Sequence, residues 1–294
     1  MPAAAPISHR FLAPSGLELA VHDWGGDGDP VLLAHPTGFH GRVWAPVAAG
    51  LVAAGRRVWS FDFRGHGDSD PSPNATYRWE EFAADALAVT HHLALAGDPQ
   101  LLAAGHSKGG ASLLWGARHE PGVYPRIWAF EPIIMPAELA DAVNGDNPLS
   151  AGARRRRAQW ASRDEARRSY AAKPPLAVLT PAALDAYVDY GMRDLPDGTV
   201  ELKCRPEHEA TIYAMGASLG LYPELTGVAC PVLVACGETT DAITPAFAAK
   251  IVEQLPDATL EVWRDRGHFG PLEDPEQAVT SMLRFAAATA DTGA

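Results

Sequence analysis

A single serine stands where an apolar run of the sequence changes into a helical pattern. The stretch reads Gly105-His106-Ser107-Lys108-Gly109, a G-x-S-x-G motif. In such an elbow the serine occupies a strained turn that tolerates only small residues on both sides. The helix that follows would present free amide groups, which favour developing negative charge. The motif therefore predicts Ser107 as a nucleophile.

A serine nucleophile needs a general base, and the base needs a carboxylate to orient it. His268 is predicted as the base, because it lies on a loop between the last strand and the last helix of the pattern. Asp241, which follows a buried strand and precedes Thr244-Pro245, is ranked first as the acid. An aspartate in that setting also fits a simple turn or helix cap.

An oxyanion site for this serine needs two backbone N–H donors. The residue after the nucleophile, Lys108, is predicted to supply one. The second should come from the loop that follows the strand over residues 30–35. Pro36 has no N–H group, so Thr37 is predicted as the second donor.

Short apolar strands alternate with helical patterns on both sides of these residues. This alternation predicts an α/β fold, with parallel strands and helices covering both faces of one sheet. The expected strands span residues 17–24, 30–35, 57–63, 101–105, 126–130, 231–236 and 259–263.

The alternation stops over residues 132–225, where helical patterns dominate and no convincing strand is found. The sequence therefore predicts an α/β core of residues 1–131 and 226–294, with residues 132–225 as a helical lid over the strand ends. Such ends are where open sheets bind ligands. Candidate pocket residues are Phe39, Trp160, Tyr187, Tyr190, Tyr213 and Met215, although each also fits ordinary lid core.

Composition narrows the function classes. The chain has 294 residues and a formal net charge of −12, which argues against a nucleic-acid partner. Its one dense basic run, residues 154–157, is interpreted as a solvated helix face. Three cysteines without metal spacing, and the lack of a signal peptide or an apolar span, predict a cytoplasmic protein without cofactor or metal. A homodimer is left open.

Taken together, the motifs resemble the α/β-hydrolase superfamily. They include His35-Pro36-Thr37-Gly38-Phe39, the elbow at Ser107, Gly237-Glu238 with Asp241, and Gly267-His268; residues 62–69 look like the family's D-x-R-G-x-G-x-S turn. The resemblance implies a mostly parallel sheet of about eight strands, with a helical cap inserted after the sixth strand.

Glu131 looks like the alternative acid position of some haloalkane dehalogenases of this fold. It is ranked second to Asp241 and is otherwise interpreted as the ion-pair partner of Lys108. The alternative for Lys108 is a contact with a substrate carboxylate. Because the elbow carries serine rather than aspartate, an acyl-serine intermediate is expected.

The predicted function is therefore a serine hydrolase of the carboxylesterase type, cleaving an ester or related acyl bond of a small molecule. The same three residues could instead serve C–C bond hydrolysis, thioester hydrolysis, perhydrolysis or acyl transfer. A ligand receptor without turnover is the third alternative, because this fold hosts many functions.

Overall fold

The fold is built on one large, mostly parallel sheet, as the sequence predicts. The computed structural model describes residues 5–136, 145, 147–218 and 220–290. Eight strands form the sheet. They are β1 (Ile7–Leu12), β2 (Glu18–Gly25), β3 (Pro30–Ala34), β4 (Arg57–Phe61), β5 (Leu102–His106), β6 (Ile127–Phe130), β10 (Val232–Gly237) and β11 (Ala258–Trp263).

The strand order brings the ends of distant segments together. It runs β1-β2-β4-β3-β5-β6-β10-β11, and only the pairings of β1 with β2 and of β2 with β4 are antiparallel. In the parallel part, His106 pairs with Phe130, and Phe130 pairs with Ala235. The residues that follow β5, β6 and β10 therefore emerge side by side at the carboxyl edge of the sheet.

Helices cover both faces of the sheet. Those of the core are α1 (Ala45–Ala53), α2 (Trp79–His92), α3 (Lys108–His119), α8 (Pro245–Gln254), α9 (Gly270–Glu273) and α10 (Pro275–Ala290). Side chains alternate across each strand, so Leu32 lies in one apolar cluster and Leu33 in the other. Burial on both faces explains why these strands read as continuous apolar runs.

The insertion between β6 and β10 contains strands that the sequence does not predict. Its described part holds α4 (Pro148–Arg154), α5 (Arg163–Ala171), α6 (Pro181–Gly191) and α7 (Pro206–Ala214). It also holds a three-stranded antiparallel sheet of β7 (Gln159–Trp160), β8 (Met192–Asp194) and β9 (Val200–Leu202). With two or three residues each, these strands are too short to show alternation. Residues 137–144, 146 and 219 of the predicted lid lie outside the described residues.

One strand of the large sheet, β1, was also not predicted from the sequence. β1 pairs with β2 at the edge of the sheet and leaves most of its side chains exposed, so it has no buried face to mark it. No helix within the described ranges is long and apolar enough to cross a membrane.

Candidate active site

Ser107 occupies a strained turn between β5 and α3. Its backbone has φ 55° and ψ −117°, which is unfavourable for a residue with a side chain. A Cβ at Gly105 would lie 2.5 Å from the Gly109 carbonyl carbon, and a Cβ at Gly109 would lie 2.2 Å from the Ala34 oxygen. The Ser107 amide donates to the Phe130 carbonyl (2.8 Å), which ties the turn to β6. The glycines therefore permit the close packing that holds the serine in this conformation.

His268 lies on the loop after β11 and is held at its side chain and at its backbone. Its Nδ1 donates to Oε2 of Glu131 at 2.6 Å. Its carbonyl accepts a hydrogen bond from Nε2 of His106 (2.8 Å), the residue before the candidate nucleophile. Burial lowers the pKa of His106 well below its usual value, so this ring donates as neutral imidazole. His268, the predicted base, therefore lies against the residue that precedes Ser107 in the chain.

Glu131 is the buried carboxylate at this histidine. It follows β6 directly, has φ 44° and is completely buried. Its Oε1 accepts from the Gly237 amide (2.9 Å), and its Oε2 accepts from the Thr240 hydroxyl (2.8 Å) and the Ile243 amide (3.4 Å). A buried charge needs such partners. Glu131 is thus fixed by the loop on which the sequence places the acid.

Asp241 is exposed on that same loop, and the described structure gives it no contact with His268. The ranking of Asp241 above Glu131 is therefore corrected by the geometry. The loop does contribute to the site, but through Thr240 and Ile243, which bind Glu131. The sequence analysis favoured Asp241 because it lies on the loop after a buried strand, between the serine and the histidine in the chain. The register of the strands instead brings Glu131, which follows β6, to His268.

The loop after β3 is held by two buried histidines. Nε2 of His35 accepts from the Phe63 amide (3.1 Å), so Nδ1 is protonated and donates to the Pro36 carbonyl (2.7 Å). The C=O and N–H of a trans peptide point in opposite directions. Fixing the Pro36 carbonyl therefore fixes the direction of the Thr37 N–H, the predicted oxyanion donor.

His66 holds the next peptide of this loop. Its Nε2 accepts from the Gly38 amide (3.2 Å), while its Nδ1 donates to the Arg64 carbonyl (2.9 Å). Burial, together with nearby Lys108, lowers the pKa of both His35 and His66 well below the usual value. Both rings are neutral at physiological pH and can accept these amide hydrogen bonds.

Lys108 begins α3, so its amide has no partner within the helix and is free to act as the other predicted oxyanion donor. Its side chain is completely buried, with Nζ 3.3 Å from His66 Nε2 and 4.3 Å from the Phe63 ring centroid. Burial lowers the pKa of this amine to about 7. The expected ion pair of Lys108 with Glu131 is wrong, since Nζ lies against these aromatic rings instead.

Of the predicted pocket residues, Phe39 and Tyr187 pack against each other near the loop of His268. Their ring centroids are 4.9 Å apart, and Phe39 also packs at 5.5 Å on Phe269, the neighbour of His268 in the chain. The other four make different contacts: Trp160 packs on Tyr170, Tyr190 lies under Arg42, Met215 packs against the core, and Tyr213 accepts at its carbonyl from Asn147.

Two charged residues of the insertion, near the predicted oxyanion loop, were not predicted from the sequence. Nη1 of Arg156 donates to Glu209 (2.5 Å), and Nη2 donates to the Tyr187 hydroxyl (2.6 Å). Glu209 in turn contacts Gly38, the neighbour of Thr37. The basic run of residues 154–157 was the only sequence feature that could have pointed to Arg156. Nothing in the spacing of that run distinguishes Arg156 from its neighbours. No group of three metal-ligating side chains is found within the part of the chain that the structure describes.

Comparisons with known proteins show related sequences and a shared fold. The chain is 28% identical to a non-heme chloroperoxidase from Kitasatospora aureofaciens, over 86% of this chain and 89% of that protein. It is 32% identical to a monoacylglycerol lipase from Mycolicibacterium smegmatis, over 48% of this chain and half of that protein. The crystal structure of E-2-(acetamidomethylene)succinate hydrolase superposes with a TM-score of 0.81 at 22% identity, covering 96% of this chain and 99% of that one, which shows a shared fold.

The family model described as "Alpha/beta hydrolase family" matches residues 31–281. That range contains the serine elbow, the buried Glu131 and the loop of His268. The chain therefore belongs to the alpha/beta hydrolase family.

Proposed function

We propose that this protein is a serine hydrolase that cleaves an ester, or a related acyl bond, of a small molecule. The observation that carries the proposal is the hydrogen bond of 2.6 Å between His268 Nδ1 and the buried Glu131, next to the strained Ser107 turn. A histidine held in this way by a carboxylate keeps its Nε2 free to accept a proton.

The proposed reaction begins with His268 Nε2 taking the Ser107 hydroxyl proton as the serine oxygen attacks the substrate carbonyl. The amides of Thr37 and Lys108 stabilise the oxyanion of the tetrahedral intermediate. Each such donor contributes about 3 kcal/mol to lowering the barrier. His268 then protonates the leaving alcohol, which leaves an acyl-serine, and water hydrolyses that ester by the same route in reverse.

Glu131 is the proposed third member of the triad. As a carboxylate it only accepts hydrogen bonds, so it holds His268 in the tautomer that carries hydrogen on Nδ1. It also stabilises the imidazolium that forms during attack. Four groups bind Glu131 and keep it in place: the amides of Gly237 and Ile243, the Thr240 hydroxyl and Nδ1 of His268.

The proposed substrate site lies under residues 132–225, which we infer act as the cap of a core made of residues 1–131 and 226–294. Phe39, Phe269 and Tyr187 provide an aromatic wall that joins the oxyanion loop to the cap. An aromatic wall favours a small organic substrate over a polymer surface.

The test is hydrolysis of short p-nitrophenyl esters by the wild type, Ser107→Ala and the exposed control Ser15→Ala, with fluorophosphonate labelling of all three. We expect turnover and labelling in the wild type and Ser15→Ala and neither in Ser107→Ala. Equal turnover in wild type and Ser107→Ala would reject the serine mechanism. Folded wild type with neither signal would instead favour a ligand receptor.

Perhydrolysis is a second candidate, supported by the similarity to a protein named a non-heme chloroperoxidase. Here hydrogen peroxide replaces water: its oxygen attacks the acyl-serine, the ester bond to Ser107 breaks, and a peracid leaves. Peracid formation from an ester and peroxide, lost in Ser107→Ala, would support this reaction. Ester hydrolysis without any peracid would exclude it.

A further inference from the structure

One arginine of the basic run lies at the oxyanion loop rather than in solvent. Its neighbour Arg157 pairs with Glu165 (2.7 Å) and covers the Trp160 ring, with its side chain half exposed. Arg156 instead donates to Glu209 and to Tyr187, and its side chain is 22% exposed. The run therefore has one member that faces the proposed substrate site.

Gly38 locates this guanidinium relative to the oxyanion loop. A Cβ on Gly38 would lie 2.3 Å from Oε1 of Glu209 and 3.6 Å from Nη1 of Arg156. Gly38 follows Thr37, whose amide is the proposed oxyanion donor. The ion pair thus lies only a few ångströms from the place where the reacting carbonyl is expected.

Arg156 and Tyr187 have hydrogen-bond donors that are not used within the described ranges. A guanidinium has five N–H groups, and Arg156 commits two of them to Glu209 and Tyr187, with a weaker contact to Tyr170 (3.5 Å). The Tyr187 hydroxyl accepts from Arg156, so its own hydrogen remains to be donated. Within the described ranges that hydrogen has no acceptor. Two donor groups on neighbouring atoms match the two oxygens of a carboxylate.

We propose that Arg156 and the Tyr187 hydroxyl bind a carboxylate on the acyl part of the substrate, so that the preferred substrates are half-esters of short dicarboxylic acids. The inference rests on the proposed serine hydrolase function and names its substrate class. Glu209 holds the guanidinium towards the site and, by its negative charge, limits how strongly an anion is attracted.

The test compares two p-nitrophenyl esters of equal acyl chain length, the hemisuccinate and the butyrate, which differ in the terminal carboxylate. The readout is the ratio of their kcat/KM values, because any general loss of folding or of triad geometry affects both substrates and cancels. We expect the wild type to prefer the hemisuccinate and Arg156→Met to lower the ratio about 10- to 100-fold, as for the loss of a charged hydrogen bond. Tyr187→Phe should lower it less.

Glu209→Gln is expected to change the ratio in the opposite direction. Glutamine keeps an oxygen for the Arg156 hydrogen bond but removes the competing charge, so the preference for the hemisuccinate should rise several-fold. Arg157→Met is the matched control and should leave the ratio as in wild type. An unchanged ratio in Arg156→Met would overturn the inference while leaving the hydrolase function intact.

Binding to the Ser107→Ala variant separates this inference from the proposed function. Calorimetry with monomethyl succinate and methyl butyrate requires no turnover. Binding of the anionic ester alone, lost when Arg156→Met is added, would support the subsite even if no ester were hydrolysed. Equal binding of both esters, or of neither, would overturn it.

Discussion

Glu131 decides how the candidate base is oriented, and the choice between two carboxylates is testable at single residues. Glu131→Gln should lower kcat for an ester about 10³- to 10⁴-fold, because an amide cannot both accept from His268 and stabilise the imidazolium. Asp241→Asn should leave kcat within about twofold, since Asp241 is exposed and has no contact with His268. Steady-state kinetics of the two variants provide the measurement.

The reverse result, with Asp241→Asn inactive and Glu131→Gln active, would require the loop of Asp241 to rearrange in the working enzyme. Circular dichroism of both variants would show whether lost activity reflects lost folding. Gln at position 131 retains the side-chain volume, so its fold should be preserved.

Lys108 is a buried amine, and its effect on the free energy of unfolding depends on pH. Burial lowers its pKa to about 7 in the folded protein, below the ordinary value of 10.5. Between these values the unfolded chain binds a proton that the folded chain does not, so stability rises with pH. Relative to Lys108→Met, the wild type should gain about 2 kcal/mol in free energy of unfolding between pH 7 and 9.

Urea unfolding of both proteins at pH 7, 8 and 9 measures this difference. Below about pH 6 the difference should stay constant, because the amine is then charged in both states. Lys250→Met, at an exposed position of α8, should show no such trend. A parallel course for wild type and Lys108→Met would mean that the ammonium stays charged among the rings of Phe63 and His66.

At the scale of elements, the elbow depends on how closely α3 approaches β3. A Cβ at Gly109 would lie 2.2 Å from the Ala34 oxygen and 3.0 Å from that of His35, and backbone atoms cannot move aside cheaply. Gly109→Ala should therefore lower the free energy of unfolding by at least about 2 kcal/mol. It should also lower kcat, since the start of α3 carries the amide of Lys108.

Gly152→Ala is the control for this substitution. Gly152 lies in α4 with no heavy atom within 4 Å of an added Cβ, so alanine should stabilise the protein by about 0.5–1 kcal/mol. Urea unfolding of both variants distinguishes the two effects. Equal, small changes would show that α3 can shift away from β3 without loss.

At the scale of the whole molecule, the sequence predicted the features that depend on local patterns of residues, namely the parallel strands and the turn at Ser107. Parallel strands with two buried faces, and the small residues around Ser107, leave a strong signal in the sequence. The partner of His268 depended instead on register, because the alignment of β6 beside β10 places Glu131 against the Thr240 loop. The sequence cannot distinguish Arg156 from Arg157, because their different contacts arise only from the packing of the insertion.

Four buried histidines tie the stability of the whole molecule to pH. Burial lowers the pKa of His40 to about 4 and those of His35, His66 and His106 well below their usual value. In the unfolded chain each binds a proton near pH 6.5. Below that pH the unfolded state therefore binds more protons than the folded state, and stability falls as pH falls.

The loss of free energy of unfolding on acidification should approach about 5 kcal/mol per pH unit once all four histidines are protonated in the unfolded chain. Since domains are stable by only about 5–15 kcal/mol, we expect unfolding near pH 4.5–5. Urea unfolding between pH 7.5 and 5 measures the slope. His106→Asn should reduce it by about a quarter, whereas His119→Asn, at an exposed helix end, should leave it unchanged. Stability that stays flat from pH 7 to 5 would show that the buried rings take up protons without unfolding.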